Sequence, residues 1–91
     1  MEIELRLFAS FRDIVGEKEI EREYDGSPDV GTVLQDLVTE YPDLEFFDEV
    51  GELREYLSIL KNGRDITFLE GTDTSLEEGD VLSVFPPVAG G

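Results

Sequence analysis

Cysteine and histidine are both missing from this 91-residue chain. Without them there is no disulfide, no thiol nucleophile and no zinc site of the usual ligands. Imidazole acid–base chemistry goes with them. Basic residues are few: seven Lys and Arg stand against 23 Asp and Glu, a formal net charge of −16 at pH 7. Affinity for DNA or RNA rests on cations that neutralise phosphates, so no nucleic-acid partner is expected. Long apolar runs are missing as well. No stretch approaches the ~20 residues that span a bilayer, and Met1-Glu2-Ile3-Glu4 lacks the basic-then-apolar start of a signal peptide. A cytoplasmic protein without a membrane partner is therefore expected. No cluster of serine, carboxylate and lysine stands out either. The expectation is a protein that is not an enzyme by itself and binds no metal and no cofactor of its own.

What is present argues for a folded globule. Hydrophobic residues make up 40% of the chain, with six Phe and three Tyr, more than a disordered acidic chain carries. A single domain of this size buries roughly 60–65% of its unfolded surface, enough for one modest core. The surplus of carboxylates reads as a surface adapted to high salt, where a Debye length of about 3 Å at 1 M screens self-repulsion. Calcium is the rival explanation, but the carboxylates are scattered and no EF-hand-like Asp-x-Asp-x-Asp-Gly run occurs.

Periodicity divides the chain. Ile3, Leu5 and Leu7 alternate with Glu2, Glu4 and Arg6, the pattern of a half-buried strand. Phe8, Phe11 and Ile14/Val15 recur at helical spacing, predicting a short helical turn ended by Gly16. Lys18 to Tyr24 reads as a second strand, antiparallel to the first, with Ile20, Arg22 and Tyr24 on one face. Asp25-Gly26-Ser27-Pro28 is a turn. Thr32 and Gln35 match a capping box, and Val33, Leu34, Leu37, Val38 and Tyr41 form the apolar stripe of one substantial helix. Pro42 closes it. Residues 43–55 read as a short helical segment and loop over the end of the core. Tyr56 to Lys61 is an apolar strand, Asn62-Gly63 a tight turn, and Arg64 to Leu69 a return strand. Residues 71–74 are loop, 76–80 a turn and 81–85 a final strand, which Pro86-Pro87 ends. One helix laid across one face of a mixed sheet buries such a stripe. The predicted fold is thus α+β, a β-grasp of four to five strands and one main helix over residues 1–85, with 86–91 an extended tail.

That tail ends in Val88-Ala89-Gly90-Gly91. Gly90 and Gly91 carry no Cβ, so their backbone can thread a narrow cleft and approach a partner's reacting atoms. Pro86-Pro87 would stiffen the exit from the last strand. The α-carboxylate of Gly91 is then an unhindered acyl group, inert until a partner gives it a leaving group. With Gly91 already terminal, no processing protease is expected to be needed.

The segments Leu7-Phe8-Ala9-Ser10-Phe11-Arg12-Asp13-Ile14-Val15-Gly16, Thr32-Val33, Leu60-Lys61-Asn62-Gly63 and Leu76-Glu77-Glu78-Gly79-Asp80-Val81 lead in order to Phe85-Pro86-Pro87-Val88-Ala89-Gly90-Gly91. In them the chain resembles the small, sulfur-carrying subunit of molybdopterin synthase (the MoaD family) and the small archaeal ubiquitin-like modifier proteins. The resemblance covers nearly the whole chain. It departs from the compact synthase subunits over 43–56 and 67–74, where this chain is longer. It implies that a ubiquitin-activating-type enzyme, using ATP, adenylates Gly91. The adenylate then becomes a thiocarboxylate, which donates sulfur within the large synthase subunit for molybdenum cofactor, or an isopeptide bond to a target lysine. It also implies that Phe85, Pro86, Pro87 and Val88, with Arg12, meet these partners. Plainer readings stand beside it: Phe85 as a core aromatic at a strand end, Arg12 as a solvated surface charge. Lys18 and Lys61, the two lysines, are either acceptors for modifier chains or simply solvated. The rival function is a β-grasp interaction module that binds through its sheet and uses the tail for nothing.

Overall fold

The computed structural model describes residues 1–87. Strand β1 (Glu2–Leu7), helix α1 (Ser10–Val15), strand β2 (Glu19–Glu23) and helix α2 (Val30–Glu40) are followed by β3 (Ser58–Lys61), β4 (Arg64–Asp65) and β5 (Val81–Phe85). Single 3₁₀ turns lie at Pro42–Leu44, Ile66–Phe68 and Gly71–Asp73. The five strands form one mixed sheet in the order β2-β1-β5-β3-β4, with β1 and β5 parallel and every other pair antiparallel. This is the expected β-grasp. No helix among the described residues is long and apolar enough to cross a membrane.

The alternation in β1 does what it predicts. Ile3, Leu5 and Leu7 are fully buried, and across the core they meet Val30, Val33, Leu34 and Leu37 of α2. Leu82 and Val84 of β5, Ile59 of β3 and Phe46 belong to the same cluster, with Phe11 set edge-on to Phe46 at 5.1 Å. Gly16 ends α1 in the left-handed conformation, its N–H donating to the Arg12 carbonyl.

Three expectations are corrected. Helix α2 begins at Val30, not Thr32: Asp29 is the cap, its carboxylate accepting from the Thr32 amide at 2.7 Å. Gly31, in the first turn, packs where a Cβ would come within 3.3 Å of Thr72, so only glycine fits unshifted. The short helical segment and loop expected over 43–55 are present as the end of the 3₁₀ turn at Pro42–Leu44 and the loop after it, in which Asp48 accepts from the amides of Val50 and Glu52 and Phe47 bridges Leu53. Strand β3 starts at Ser58 rather than Tyr56, which is half exposed. The return strand lasts two residues, because the Asp65 carboxylate accepts from the Thr67 amide and hydroxyl and winds the chain into a 3₁₀ turn.

Two segments singled out in the sequence turn out to clamp one another. Asn62 (φ 50°) and Gly63 (φ 84°) form the left-handed two-residue loop between β3 and β4. The Asn62 side chain donates to Asp80 Oδ1 at 2.9 Å and accepts from the Val81 amide at 2.8 Å, while its own amide donates to the Val81 carbonyl. Asp80 Oδ2 accepts from the Glu77 amide at 2.8 Å and lies 3.7 Å from Lys61 Nζ. Burial alone pushes the Asp80 carboxyl up. The hydrogen bonds from Asn62 and Glu77, with the Lys61 ammonium, outweigh it and hold the group below its ordinary 3.8.

Candidate functional site

The parallel pairing of β1 with β5 decides where the chain leaves the domain. Leu7 pairs with Val84, so the residues that follow, Phe8 and Phe85, emerge side by side at one end of the sheet. Alternation sends Leu7 and Val84 into the core and turns Phe8 and Phe85 to the other face. Their rings stack with centroids 4.1 Å apart and planes 11° from parallel. Both are half-buried. Such a pair adds about 0.5–1.5 kcal/mol beyond the area it covers.

Phe8 is held there by a tight reversal. Ala9 has φ 53°, a conformation that costs a residue with a side chain about 1–3 kcal/mol, and it turns the chain straight from β1 into α1. The stack, Ser10, Ser58 and Pro86-Pro87 line an open, mostly apolar depression of ≈ 690 Å³. The two prolines also line a second depression of ≈ 250 Å³, with Phe11 and Ile14 of α1, Tyr56, Leu57, Asp43 and Glu45. The root of the tail therefore borders two hollows, with Ile14 and Tyr56 exposed.

Of the residues singled out from the sequence, the structure brings Phe85, Pro86 and Pro87 together. Val88, Gly90 and Gly91 lie outside the described residues. Arg12 is exposed on α1, the helix flanking the prolines. Its nearest carboxylate is Asp13 at 3.9 Å, an exposed pair worth little. Lys18 is exposed just before β2, and Lys61 is tied to the Ser75 carbonyl at 2.9 Å. Phe85 is half-buried at the end of β5 and lies outside the core cluster, so it is not the core aromatic of the plainer reading. Sequence reasoning missed Phe8. The signal was there, since Glu2, Glu4, Arg6 and Phe8 continue one alternation and Val81, Ser83 and Phe85 another.

The outer sheet face away from this end is strongly acidic. Glu2 stands opposite Glu23 and Glu4 opposite Glu21, like charges placed across a strand pair. The Glu2 carboxyl is raised above its ordinary value, foremost by Glu21, then by burial and by Glu23, Glu78 and Glu4. Among the described residues, no group of three or more Asp and Glu is placed to hold a metal ion.

Comparison with known proteins fits this geometry. A family model described as the ThiS family matches residues 5–91. Small archaeal modifier protein 3 of Haloferax volcanii is 49% identical over 92 residues, covering all of both chains. The sulfur carrier protein CysO of Mycobacterium tuberculosis is 32% identical over 66 residues, 68% of this chain and 71% of that one. The crystal structure of SAMP1 from Haloferax volcanii superposes over the full length of both chains with a TM-score of 0.87 at 33% identity.

Proposed function

Because this chain belongs to the ThiS family, we propose that it works through the carboxylate of Gly91, as a ubiquitin-like sulfur carrier and protein modifier. The observation that carries this reading is the placement of β5. A central strand, locked between β1 and β3, ends at Phe85 and leads into Pro86-Pro87 at an apolar end of an otherwise acidic molecule.

The chemistry follows from what the chain has and lacks. A carboxylate resists attack because oxide is a poor leaving group. A ubiquitin-activating-type enzyme would let a Gly91 oxygen attack the α-phosphorus of ATP, expelling pyrophosphate and leaving an acyl adenylate. A sulfur nucleophile must then come from a partner, since this chain has no cysteine. Attack by sulfide at the carbonyl carbon expels AMP and leaves a thiocarboxylate; attack by a persulfide leaves an acyl disulfide, from which a partner's second thiol releases the thiocarboxylate by forming a disulfide with the donor. An amine attacking the same carbon gives an isopeptide bond instead. In both outcomes this protein supplies the acyl group and the docking surface, while proton transfers belong to the partners. The stacked Phe8 and Phe85 and the hollows beside Pro86-Pro87 are the apolar anchors such partners would cover. The large subunit of molybdopterin synthase is the proposed sulfur acceptor, and lysines of other proteins are the proposed modifier targets.

The test is intact mass spectrometry of the full chain recovered from cells under denaturing conditions, beside a variant lacking Gly90 and Gly91. One terminal oxygen replaced by sulfur, or the chain found on lysines of other proteins, is expected for the full chain alone. An unaltered carboxylate with no conjugates would leave only a plain binding module, and a shortened variant that still supplies sulfur or modifies targets would remove Gly91 as the reacting group.

A further inference from the structure

The chain carries three amines: the α-amino group of Met1, Lys18 and Lys61. The fold treats them differently. The Met1 ammonium donates to the Tyr24 carbonyl and lies 3.6 Å from Glu23 Oε1. Lys61 Nζ donates to the Ser75 carbonyl, sits 3.7 Å from Asp80, and has only 25% of its side chain exposed. Freeing it would undo part of the clamp between the β3–β4 loop and the turn before β5. Lys18 is exposed, and among the described residues its side chain takes part in no ion pair.

Position singles out the same residue. The Leu7 amide donates to the Lys18 carbonyl at 2.8 Å, and Leu7 pairs with Val84. Lys18, Leu7 and Val84 thus lie in one row across β2, β1 and β5, at the end of the sheet where the chain exits. Two strand spacings of about 4.8 Å separate the backbone of Lys18 from that of Val84, roughly 10 Å. The six residues 86–91 reach about 20 Å when extended, at ~3.3 Å each.

We propose that Lys18 is the amine through which this protein accepts its own activated C-terminus, so that self-linkage runs through Lys18 and not through Lys61 or the α-amino group. The inference rests on activation of Gly91 as argued above. In the step, neutral Lys18 Nζ attacks the acyl carbon of the Gly91 adenylate. The new C–N bond replaces the C–O bond to AMP, AMP leaves with the electron pair, and the amine's proton passes to solvent. The acyl group comes from a second copy or from the same molecule. A short tether raises the local concentration of the latter to the millimolar range.

The experiment incubates the full chain at molar salt with a ubiquitin-activating-type enzyme and ATP, for the parent, Lys18→Arg and Lys61→Arg. Trypsin cuts after Arg64, and no Lys or Arg follows, so a linked amine carries residues 65–91 as a branch. The branch is expected on Lys18 at least tenfold more often than on Lys61 or Met1. Lys18→Arg should abolish it while releasing pyrophosphate on adenylation as the parent does, and Lys61→Arg should keep it. A self-linked species of dimer mass identifies a second copy as the donor. A monomer lighter by one water identifies ring closure. Both support Lys18. A branch mainly on Lys61 or Met1 overturns the inference. So does an activated chain, seen as thiocarboxylate or on other proteins, with no branch on Lys18; the proposed function would then survive. Absence of any activation would take down both.

Discussion

Asn62 offers a sharp test of how the loop after β3 supports the strand that carries the tail. It contributes a left-handed backbone, a hydrogen bond donated to the Asp80 carboxylate, and an acceptor for the Val81 amide. Asn62→Gly keeps the backbone and removes both side-chain bonds. A bond to a charged group is worth about 1.5–3 kcal/mol and a neutral one about 1. Asn62 is exposed, so water recovers part of each, and a loss of about 2 kcal/mol is expected. That corresponds to roughly 10 °C in Tm for a domain of this size. Asn62→Ala adds about 1 kcal/mol for a side chain in left-handed geometry. Asn62→Asp keeps shape and acceptor but sets a second carboxylate against Asp80, where two negative charges cannot both be held cheaply. At pH 7 it should be at least as damaging as Asn62→Gly. At pH 4 a shared proton restores the bond, so its deficit should shrink. The parent moves the other way: because the Asp80 carboxyl is held below 3.8, its contribution is complete above that pH and fades as pH falls through its folded value. Urea unfolding at constant molar salt, at pH 7 and pH 4, reads all three variants. Asn62→Gly within about 0.5 kcal/mol of the parent, or an Asn62→Asp deficit unchanged by pH, would refute the reasoning.

Other consequences follow from the same structure. Phe85→Ala removes the stacked partner of Phe8; it should cost about 1–2 kcal/mol and reduce loading by an activating enzyme far more than that loss explains, as measured by pyrophosphate release with folded protein. Glu21→Gln relieves repulsion on Glu2 and Glu4, so it should raise Tm at low salt and leave it unchanged at molar salt, where charges are screened; equal shifts in both melts would remove cross-strand repulsion as the cause. Burial, then the charge and hydrogen bond of Asp36, push Tyr24 up to about 12. The folded state therefore favours the protonated phenol, and stability present below pH 10 should be lost as pH rises toward 12, a loss that Tyr24→Phe abolishes in alkaline unfolding curves.

Much of the fold was legible because its signals are local. Strict alternation over residues 2–7, the stripe from Val33 to Tyr41 and the Asn62-Gly63 loop each declare themselves within a few residues. What escaped depends on distant partners. The start of α2 was misplaced because Asp29 and Thr32 both look like caps, and only contact with Thr72 explains a glycine between them. The brevity of β4 was hidden because Asp65 can sit in a strand or fold the chain on itself, and pattern alone does not choose. The tail residues were legible by type, but their setting was not. Phe8 and Phe85 lie 77 positions apart, and only the parallel register of β1 and β5 makes them neighbours.

That register also orders events in time. The first strand to be made pairs with the last, and β5 is the strand on which both halves of the sheet close. A chain still emerging from synthesis has β1, β2 and α2 but no centre, and a fragment ending before Val81 has none either. Long-range closure of this kind comes late in folding. A partner that docked at the finished sheet end, where Phe8 meets Phe85, would therefore read completeness as well as identity: that end does not exist until translation has passed the strand that leads to the tail.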